Sequence, residues 1–402
     1  MHRTLCGTVG VLAALTLWMV CAAPALARVY TFTKVADSTR DGFDPSSFEC
    51  SAINNRGDIA FRTARPPQRG SQLIQGIYRA DAGGTKLTTI AEFGGPGHGL
   101  DFLRQIPSIN DLGEVAFAVR QVDEATGVET QSIMRGSDKK PVTIASTAVV
   151  TSALVFHRFG FEPTLNNSGV VVFKAELNNI DTFDFENGLF SGQDGKQANV
   201  TTYYRSSTSQ FSEFGSLSRP SINNLGDIAF EESVDSGDLG VFVTQGSGFK
   251  TIAAPDPNVI VGRPNLNDAG TVAFHRFFND QPGEELVTGT GGRLTVIADT
   301  RGPFQSFGFF LDFTPPALNN HGKAAFFADL DAGGAGIFTG RSPVADRVIQ
   351  TGDTLDGATV TALRFCDQGL NDADQLVFQA TFNDPSVPAG VRVAIFRATP
   401  AP

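Results

Sequence analysis

Tryptophan, tyrosine and histidine are scarce in this sequence. Its 402 residues include one tryptophan, four tyrosines and five histidines, against 34 phenylalanines. Sugar and peptide sites favour tryptophan and tyrosine, which combine a flat face with a polar group, so we expect most aromatic residues here to be core. No HxH, HExxH, Cys–His or GxSxG pattern occurs in a suitable context. The sequence therefore predicts no catalytic residue, no metal site and no cofactor.

Basic residues are also in the minority. The chain has 31 lysines and arginines against 42 acidic residues, a formal charge of −11. Without the first 27 residues, which contain Arg3 and no acid, 30 basic residues remain against 42 acidic ones, a charge of −12. Because nucleic-acid binding needs clustered basic side chains, we expect no nucleic-acid partner. The acidic balance also disfavours anionic membrane surfaces and favours solubility.

Long apolar runs are absent after residue 27. The N-terminus reads "MHR", then "LCGTVGVLAALTLWMVCAA", and residues 25–27 are "ALA", a small-residue cleavage pattern. We predict a signal peptide over residues 1–27, cleaved after Ala27, and a secreted or periplasmic protein without a transmembrane segment. A membrane anchor is the alternative, since the run is nearly long enough to span a bilayer. A lipoprotein site at Cys21 is disfavoured, because no small residue directly precedes the cysteine.

One motif returns seven times along the chain. The copies are "SAINNRGDIAF", "PSINDLGEVAF", "PTLNNSGVVVF", "PSINNLGDIAF", "PNLNDAGTVAF", "PALNNHGKAAF" and "QGLNDADQLVF". Successive first asparagines are 56, 56, 57, 44, 52 and 52 residues apart. Periods of this size are typical of solenoids and propellers.

Each copy has the properties of a β-hairpin. Isoleucine or leucine ends one strand, Asn followed by Asn or Asp caps the turn, and a residue three positions on takes a positive φ. These turn residues are Asn54 and Gly57, Asn110 and Gly113, Asn166 and Gly169, Asn223 and Gly226, Asn267 and Gly270, Asn319 and Gly322, and Asn371 and Asp374. Aspartate also tolerates the left-handed region. The phenylalanine that ends each motif, from Phe61 to Phe378, is expected to occupy one shared core position.

Two further strands follow in most copies, for example "GIYRA" and "LTTIAE" in the first. Short strands with regular turns and no helical periodicity indicate an all-β protein. Four strands per unit, repeated seven times, predict a seven-bladed β-propeller. An open β-solenoid is the alternative.

The two ends of the chain predict how the ring closes. The seventh copy stops after its third strand, "VAIFRATPAP", and residues 30–38, "YTFTKVADS", match the missing fourth. We predict that this N-terminal strand completes the last blade, removes the exposed sheet edges and makes residues 28–402 a single domain. The closure would bring together the inner strands that carry Cys50 and Cys366. We predict a disulfide between them in an oxidising compartment; otherwise they are two small buried apolar residues.

With these motifs the chain resembles the bacterial choice-of-anchor tandem-repeat proteins, named for NxxGxxAF. Asn54, Gly57 and Ala60 match in the first copy, and four other copies match fully, whereas the third and seventh have Val172 and Val377 for the alanine. The resemblance covers almost all of residues 28–402. It implies an exported protein of unestablished activity, often with a sorting anchor, although this sequence ends in "FRATPAP" without a hydrophobic tail. The hairpin is also similar to the "SPDG…IAF" turn of TolB-type propellers, which implies a fold but no function.

The repeated polar turns raise the possibility of calcium binding through oxygen ligands. The residue four positions after the asparagine argues against it, because Val170 and Lys323 occupy this position and cannot complete a ligand shell. Turn capping explains the asparagines without a metal.

The residue four positions before the asparagine is charged in four copies. Glu162, Arg219, Arg263 and Asp367 are expected to line the axial channel. They form either a charged pocket for a small polar ligand or ion pairs between blades, for example between Glu162 and Arg219.

The expected function is that of an exported, non-enzymatic scaffold, a monomer that binds a protein or a cell-surface polymer. Loops on rigid scaffolds carry function, so the insertions "RTARPPQRGSQLIQ" and "NNIDTFDFEN" are the expected contact sites. The alternative is an extracellular polysaccharide hydrolase or lyase with a site in the axial pocket, for which His157, Arg158, Tyr203 and Tyr204 are candidate acids and bases. A purely structural envelope component is the third possibility.

Overall fold

The computed structural model describes residues 28–66, 73–93, 98–99, 106–123, 125–138, 140–150, 154–160, 162–212, 217–308, 315–387 and 390–401. The predicted signal peptide and the middle of the insertion "RTARPPQRGSQLIQ" lie outside these residues.

Thirty-three strands in the described residues form seven antiparallel sheets, called blades 1 to 7. The chain begins with β1 (Tyr30–Asp37), the short helix α1 (Ser38–Asp41) and a 3₁₀ turn (Pro45–Ser47). Blade 1 consists of β2 (Ser51–Ile53), β3 (Ile59–Arg65), β4 (Ile74–Ala80) and β5 (Leu87–Phe93). Blade 2 consists of β6 (His98–Gly99), β7 (Ser108–Ile109), β8 (Val115–Asp123), β9 (Glu129–Gly136) and β10 (Val142–Ser146).

Blades 3 to 5 follow in the same pattern. Blade 3 consists of β11 (Leu154–Phe159), β12 (Thr164–Leu165), β13 (Val171–Asn179), β14 (Phe185–Gly192) and β15 (Thr201–Arg205), with 3₁₀ turns at Gln197–Asn199 and Ser206–Thr208. Blade 4 consists of β16 (Ser221–Ile222), β17 (Ile228–Ser233), β18 (Leu239–Gln245) and β19 (Gly248–Ala253). Blade 5 consists of β20 (Val259–Val261), β21 (Asn265–Leu266), β22 (Val272–Phe278), β23 (Glu284–Gly289) and β24 (Thr295–Asp299).

Blades 6 and 7 complete the ring. Blade 6 consists of β25 (Phe304–Ser306), β26 (Ala317–Leu318), β27 (Ala324–Leu330), β28 (Ala335–Phe338) and β29 (Arg347–Gln350). Blade 7 consists of β30 (Thr354–Leu355), β31 (Ala358–Arg364), β32 (Leu376–Asn383), β33 (Val391–Pro400) and β1. The predicted all-β, seven-bladed propeller is therefore confirmed. No helix in the described ranges is both long and apolar enough to cross a membrane.

The innermost strand is interrupted in several blades, which the sequence pattern did not predict. In blade 3 both β11 and β12 pair with β13; β11 ends at Phe159, and β12 begins at Thr164, directly after Pro163. Proline has no amide hydrogen and cannot continue a ladder. Pro264 stands at the same place in blade 5, where β20 and β21 both pair with β22. The residues at these breaks carry the charged side chains expected in the channel.

The core lies between neighbouring blades. Each of the seven repeat phenylalanines is at most 3% exposed. One cluster joins Ile77 and Ile90 of blade 1 to Val115 and Phe117 of blade 2. Burial of such a side chain stabilises the fold by about 1.5–3 kcal/mol, so blade-to-blade packing supplies much of the stability.

The N-terminal strand closes the ring as predicted. β1 pairs with β33 along its whole length, from Tyr30 opposite Pro400 to Asp37 opposite Ala394. Two basic side chains bind the buried Asp37 carboxylate, Lys34 of the same strand and Arg392 of β33, both at 3.1 Å. The closing strand is thus held by a ladder and by ion pairs.

The predicted disulfide is present. Cys50 and Cys366 are bonded, with Cα atoms 5.8 Å apart and a sequence separation of 316 positions. Both are buried and pack against Ile106 of blade 2. The bond joins blade 1 to blade 7, the pair of blades that the closure makes neighbours.

The disulfide is expected to stabilise the closed ring. The double variant Cys50→Ala, Cys366→Ala should lower the free energy of unfolding by about 2–4 kcal/mol, because the bond restricts a very long loop in the unfolded chain. Urea denaturation of the oxidised protein and the variant measures this. An unchanged midpoint, with the bond verified by mass mapping, would contradict the prediction.

Asp37 is expected to make the closure acid-sensitive. Burial alone would raise its pKa, but hydrogen bonds from Thr39 and the charge of Lys34 outweigh burial and lower the pKa to about 2 from 3.8. Its stabilisation is therefore complete above the unfolded pKa and is lost as the pH falls towards about 2. Denaturation of the wild type and Asp37→Asn between about pH 5 and pH 2 should show a stability difference that shrinks on acidification. A difference independent of pH would contradict this.

Candidate functional site

The seven repeat asparagines bind one another in a closed loop. Each Nδ2 group donates to the backbone carbonyl of the equivalent asparagine in the next blade, and Asn371 of blade 7 donates back to Asn54 of blade 1 at 3.0 Å. The seven distances lie between 2.9 and 3.3 Å. All seven residues are at most 5% exposed. Side chains therefore close the ring independently of the strands.

The same side chains cap their own turns. In every blade the asparagine Oδ1 accepts hydrogen bonds from the amides two and four positions ahead. The residue three positions ahead has φ between +59° for Asp374 and +91° for Gly226. Each asparagine thus uses its acceptor within its turn and a donor for the neighbouring blade, and in four blades the Nδ2 group also donates to the side chain four positions ahead. Only an amide side chain offers both an acceptor and two donors at this reach.

A second closed loop lies beside the first. It consists of the residues that follow the repeat asparagines, here called the mouth ring: Asn55, Asp111, Asn167, Asn224, Asp268, Asn320 and Asp372. Each backbone amide donates to the side-chain Oδ1 of the next member, at 2.7–2.9 Å. This explains why the second position of the motif is always Asn or Asp, the residues that carry an oxygen at this reach.

The mouth ring surrounds an axial cavity of about 150 Å³. Asn265 and Asp367 lie at its inner end, where the Asn265 Nδ2 group donates to the Asp367 carbonyl at 2.7 Å. Two leucines, Leu112 and Leu225, follow the mouth ring in blades 2 and 4 and are 65% and 75% exposed. The cavity surface is strongly polar.

The four charged residues predicted for the channel form two ion pairs. Arg219 binds Asp367, with side chains 2% and 6% exposed, and Arg263 binds Glu162, with side chains 24% and 13% exposed. These pairs join blade 4 to blade 7 and blade 5 to blade 3. The first pair therefore spans the channel and the second passes over blade 4, whereas the sequence suggested a pair between the adjacent blades of Glu162 and Arg219.

Arginines on the third strands form contacts that the sequence analysis missed. Arg79 of β4 donates to the carbonyl of Gly113 in blade 2, and Arg135 of β9 donates to that of Gly169 in blade 3. Arg397 of β33 repeats the contact with Gly57 across the closure, at 3.4 Å. The segments "IYRA", "IMRG" and "IFRA" carry arginine at the same strand position, and this regularity could have predicted an equivalent contact in each blade.

A second candidate site is the hairpin between β13 and β14, inside the insertion "NNIDTFDFEN". Residues 179–184 form its turn, which Asn179 caps by accepting from the amides of Asp181 and Thr182. Phe183 donates its amide to the Asn179 carbonyl at 2.7 Å and has φ of +62°. Its side chain is 73% exposed. Because β13 starts at a repeat turn and ends here, this hairpin lies on the face of the disc opposite the cavity.

Other blades place glycine where blade 3 places Phe183. The hairpin of blade 2 has the same bonds, with the Gly127 amide donating to the Asp123 carbonyl at 2.7 Å and φ of +68°. Blades 4 and 6 have Gly237 and Gly333, with φ of +87° and +86°. A left-handed backbone at a bulky residue is unusual and indicates strain.

The residues considered for a lyase do not converge. His157 and Arg158 lie on β11, whereas Tyr203 and Tyr204 lie on β15. β13 and β14 separate the two strands, a distance of roughly 14 Å from three strand spacings.

Tyr204 belongs instead to a buried network between blades 3 and 4. Its hydroxyl donates to Glu232 Oε2, which also binds Lys174 Nζ at 2.8 Å. Burial and then the charge of Glu232 raise the pKa of Tyr204 well above its ordinary value. Burial likewise raises the pKa of the neighbouring Glu231. The network pairs charges in the core, as buried charges require.

The sequence matches a family described as a family of unknown function, DUF7453, over residues 22–256 and 254–397. This description does not name the NxxGxxAF group, so that resemblance stays a prediction. No curated protein matches the chain by sequence.

Solved structures with a similar fold are distant in sequence. Prolyl oligopeptidase B from Galerina marginata, bound to a 25mer macrocyclization substrate, is 11% identical with a TM-score of 0.50, over 90% of this chain and 53% of that one. The GH74 xyloglucanase from Xanthomonas campestris is 13% identical with a TM-score of 0.48, over 90% and 55%. A putative TolB from Agrobacterium tumefaciens is 14% identical with a TM-score of 0.36, over 67% and 87%. The chain thus spans about half the length of the first two, and the likeness shows the fold alone.

The asparagine loop is expected to matter more for stability than the mouth ring. Asn223→Ala should destabilise the protein by about 2 kcal/mol, because it leaves the Leu225 and Asp227 amides without their side-chain acceptor and removes one of the two donors to the buried Asn267 carbonyl, which keeps only the Gly270 amide. Asn224→Ala, at the adjacent exposed position, should cost less than about 1 kcal/mol, since water replaces its bonds. Urea denaturation of both variants compares them, and equal losses would contradict this.

Proposed function

The chain belongs to DUF7453, a family of unknown function, and we propose that it is an exported, non-enzymatic propeller that binds a protein or a cell-surface polymer. The hairpin of blade 3 makes the contact. The observation that carries the proposal is Phe183, an exposed aromatic side chain held in a left-handed backbone conformation.

The left-handed backbone of Phe183 destabilises the protein, and burial of its side chain does not compensate for this. A left-handed backbone costs a non-glycine residue about 1–2 kcal/mol. Since the side chain is 73% exposed, burial does not repay this within the protein. Gly127 forms the same turn in blade 2 without that cost. Strain retained at an exposed aromatic residue supports a role in binding.

The surroundings of Phe183 suit a protein partner. Ile180 and Phe185 of the same hairpin are 44% and 49% exposed, so the hairpin presents three exposed apolar side chains. Asp181 and Asp184 alternate with them in the sequence. Aromatic anchors flanked by charges are typical of binding hot spots, and this one suits an apolar pocket with a basic rim.

The compartment and the assembly state belong to the same proposal. The apolar run before residue 27 and the Cys50–Cys366 bond both support export to an oxidising compartment, secreted or periplasmic. One chain completes the ring through β1, so the proposed binding unit is a monomer.

Phe183→Gly is expected to separate binding from stability. The variant should be more stable than the wild type by about 0.5–1 kcal/mol, because removal of the strain outweighs the flexibility that glycine adds to the unfolded chain. It should also lose the partner. A photoreactive phenylalanine analogue at position 183, irradiated in the native envelope fraction, should give a discrete cross-linked product that excess Phe183→Gly protein does not suppress and excess wild type does.

The exposed Leu225 on the opposite face provides the matched control. The same analogue at position 225 should not give that product. Equal cross-linking from both positions, or competition by Phe183→Gly as strong as that by the wild type, would contradict the proposal. Turnover of a polysaccharide substrate that His157→Ala abolishes would replace it with the enzymatic alternative.

A further inference from the structure

The buried network between blades 3 and 4 contains a lysine that is fully enclosed together with a carboxylate. The Lys174 Nζ atom lies 2.8 Å from the Glu232 Oε2 atom, and each side chain is 1% exposed. Lys323 and Asp374 form an ion pair at the same distance of 2.8 Å, but their side chains are 16% and 32% exposed. Of the lysine–carboxylate pairs in the described residues, the first is therefore the most deeply buried.

The Glu232 carboxylate is held in one position by further donors. The Tyr204 hydroxyl donates to Oε2, the atom that binds Lys174, and the Ser233 amide donates to Oε1 at 3.1 Å. The ring of Phe230 lies 6.0 Å from the Lys174 Nζ atom and belongs to the apolar cluster that also contains Tyr204. The ammonium and the carboxylate thus meet in a fixed orientation and in apolar surroundings.

Such surroundings favour an uncharged form of the pair. Removal of an ammonium and a carboxylate from water costs hydration free energy, and replacement of a buried ion pair by uncharged groups is often stabilising. Transfer of one proton from Nζ to Oε2 converts the pair into an amine and a carboxylic acid, which are the two reactants of amide formation. Reactants held together in a suitable geometry have effective molarities of about 10⁵–10⁸ M, so condensation within the fold is strongly favoured over the same reaction in solution.

We infer that Lys174 and Glu232 form an amide bond between Nζ and Cδ, which joins blade 3 to blade 4 covalently. The Cδ atom is one bond beyond Oε2, so it lies within about 4 Å of Nζ, given a carbon–oxygen bond of about 1.2 Å. The terminal torsion of a glutamate is broad, and its rotation brings the nitrogen over the plane of the carboxyl group, from which attack occurs. This modification concerns the interior of the ring and goes beyond the proposed binding role of the hairpin.

The condensation balances without a further reactant. After the first proton transfer, the Nζ lone pair attacks Cδ, and the electron pair of the carbonyl moves to Oε1, which the Ser233 amide stabilises. The Tyr204 hydroxyl gives its proton to Oε2 and receives one from Nζ. The bond between Cδ and Oε2 then breaks, Oε2 leaves as water, and the carbonyl to Oε1 forms again. The hydroxyl is available as the donor because burial raises the pKa of Tyr204.

Peptide mapping tests the bond directly in the purified protein. After reduction of the disulfide and digestion with trypsin, residues 159–196 should appear joined to residues 206–250, at a mass one water below the sum of the two. Trypsin should not cleave after Lys174, because the cross-linked lysine has lost its charge. Recovery of residues 159–174 as a free peptide, with no joined species, would overturn the inference.

The partly exposed pair of Lys323 and Asp374 provides the matched control in the same digest. Its two atoms are equally close, but water stabilises both charges, so these residues should be recovered without a cross-link. A cross-link at both pairs would contradict the argument from burial.

Two variants separate the bond from the role of the tyrosine. Lys174→Arg keeps the positive charge and should fold, as circular dichroism verifies, but its peptides should have full mass. Protein isolated as unfolded inclusion bodies should have full mass at first, and the wild type should lose one water after refolding. Tyr204→Phe should lose it at least about tenfold more slowly, because a positioned proton donor contributes about 10²–10⁴-fold. A refolded wild type that stays at full mass would overturn the bond, and an unchanged rate in Tyr204→Phe would overturn the part assigned to the tyrosine.

Discussion

The protein depends on one repeated contact, the hydrogen bond from an asparagine side chain in one blade to an asparagine carbonyl in the next. Each side chain is short and has its oxygen fixed by two amides of its own turn, so its donor has little freedom. The position of one turn therefore determines the position of the next. Seven such steps return to the first blade, although the repeats differ in length from 44 to 57 residues. The differences are absorbed in the outer strands and loops.

The two faces of the disc differ in how their turns are held. On one face the polar turns are tied to each other, and the mouth ring presents carboxylates in fixed positions around the axis. On the other face, the hairpins of blades 2 and 3 are held by hydrogen bonds within their own turns, and they differ in composition. The hairpin around Phe183 is the clearest example, since its turn is as regular as that of blade 2 while its side chains are exposed.

Most of the fold could be predicted from the sequence because the same hairpin motif occurs seven times. The pattern indicated the blades, the closure by β1 and the bond between Cys50 and Cys366, since each follows from which strands become neighbours. The pairing of the channel charges could not be predicted, because Arg219 and Asp367 meet across an axis that sequence order does not describe. The left-handed backbone of Phe183 could not be predicted either. Only the hydrogen bonds of its turn show that Phe183 occupies the position at which other blades have glycine.

The order in which the chain is made gives the closing strand an unusual position. β1 is synthesised before the other strands of the propeller and its partner β33 after them, so the seventh blade cannot be completed until the strands of all seven blades have been made. Until then β1 has an unpaired edge and the growing ring has an open side. A ribosome or an export channel that releases the chain from its first residue onwards thus delivers an early strand that must wait for the final one, and unwanted pairing must be avoided throughout that interval.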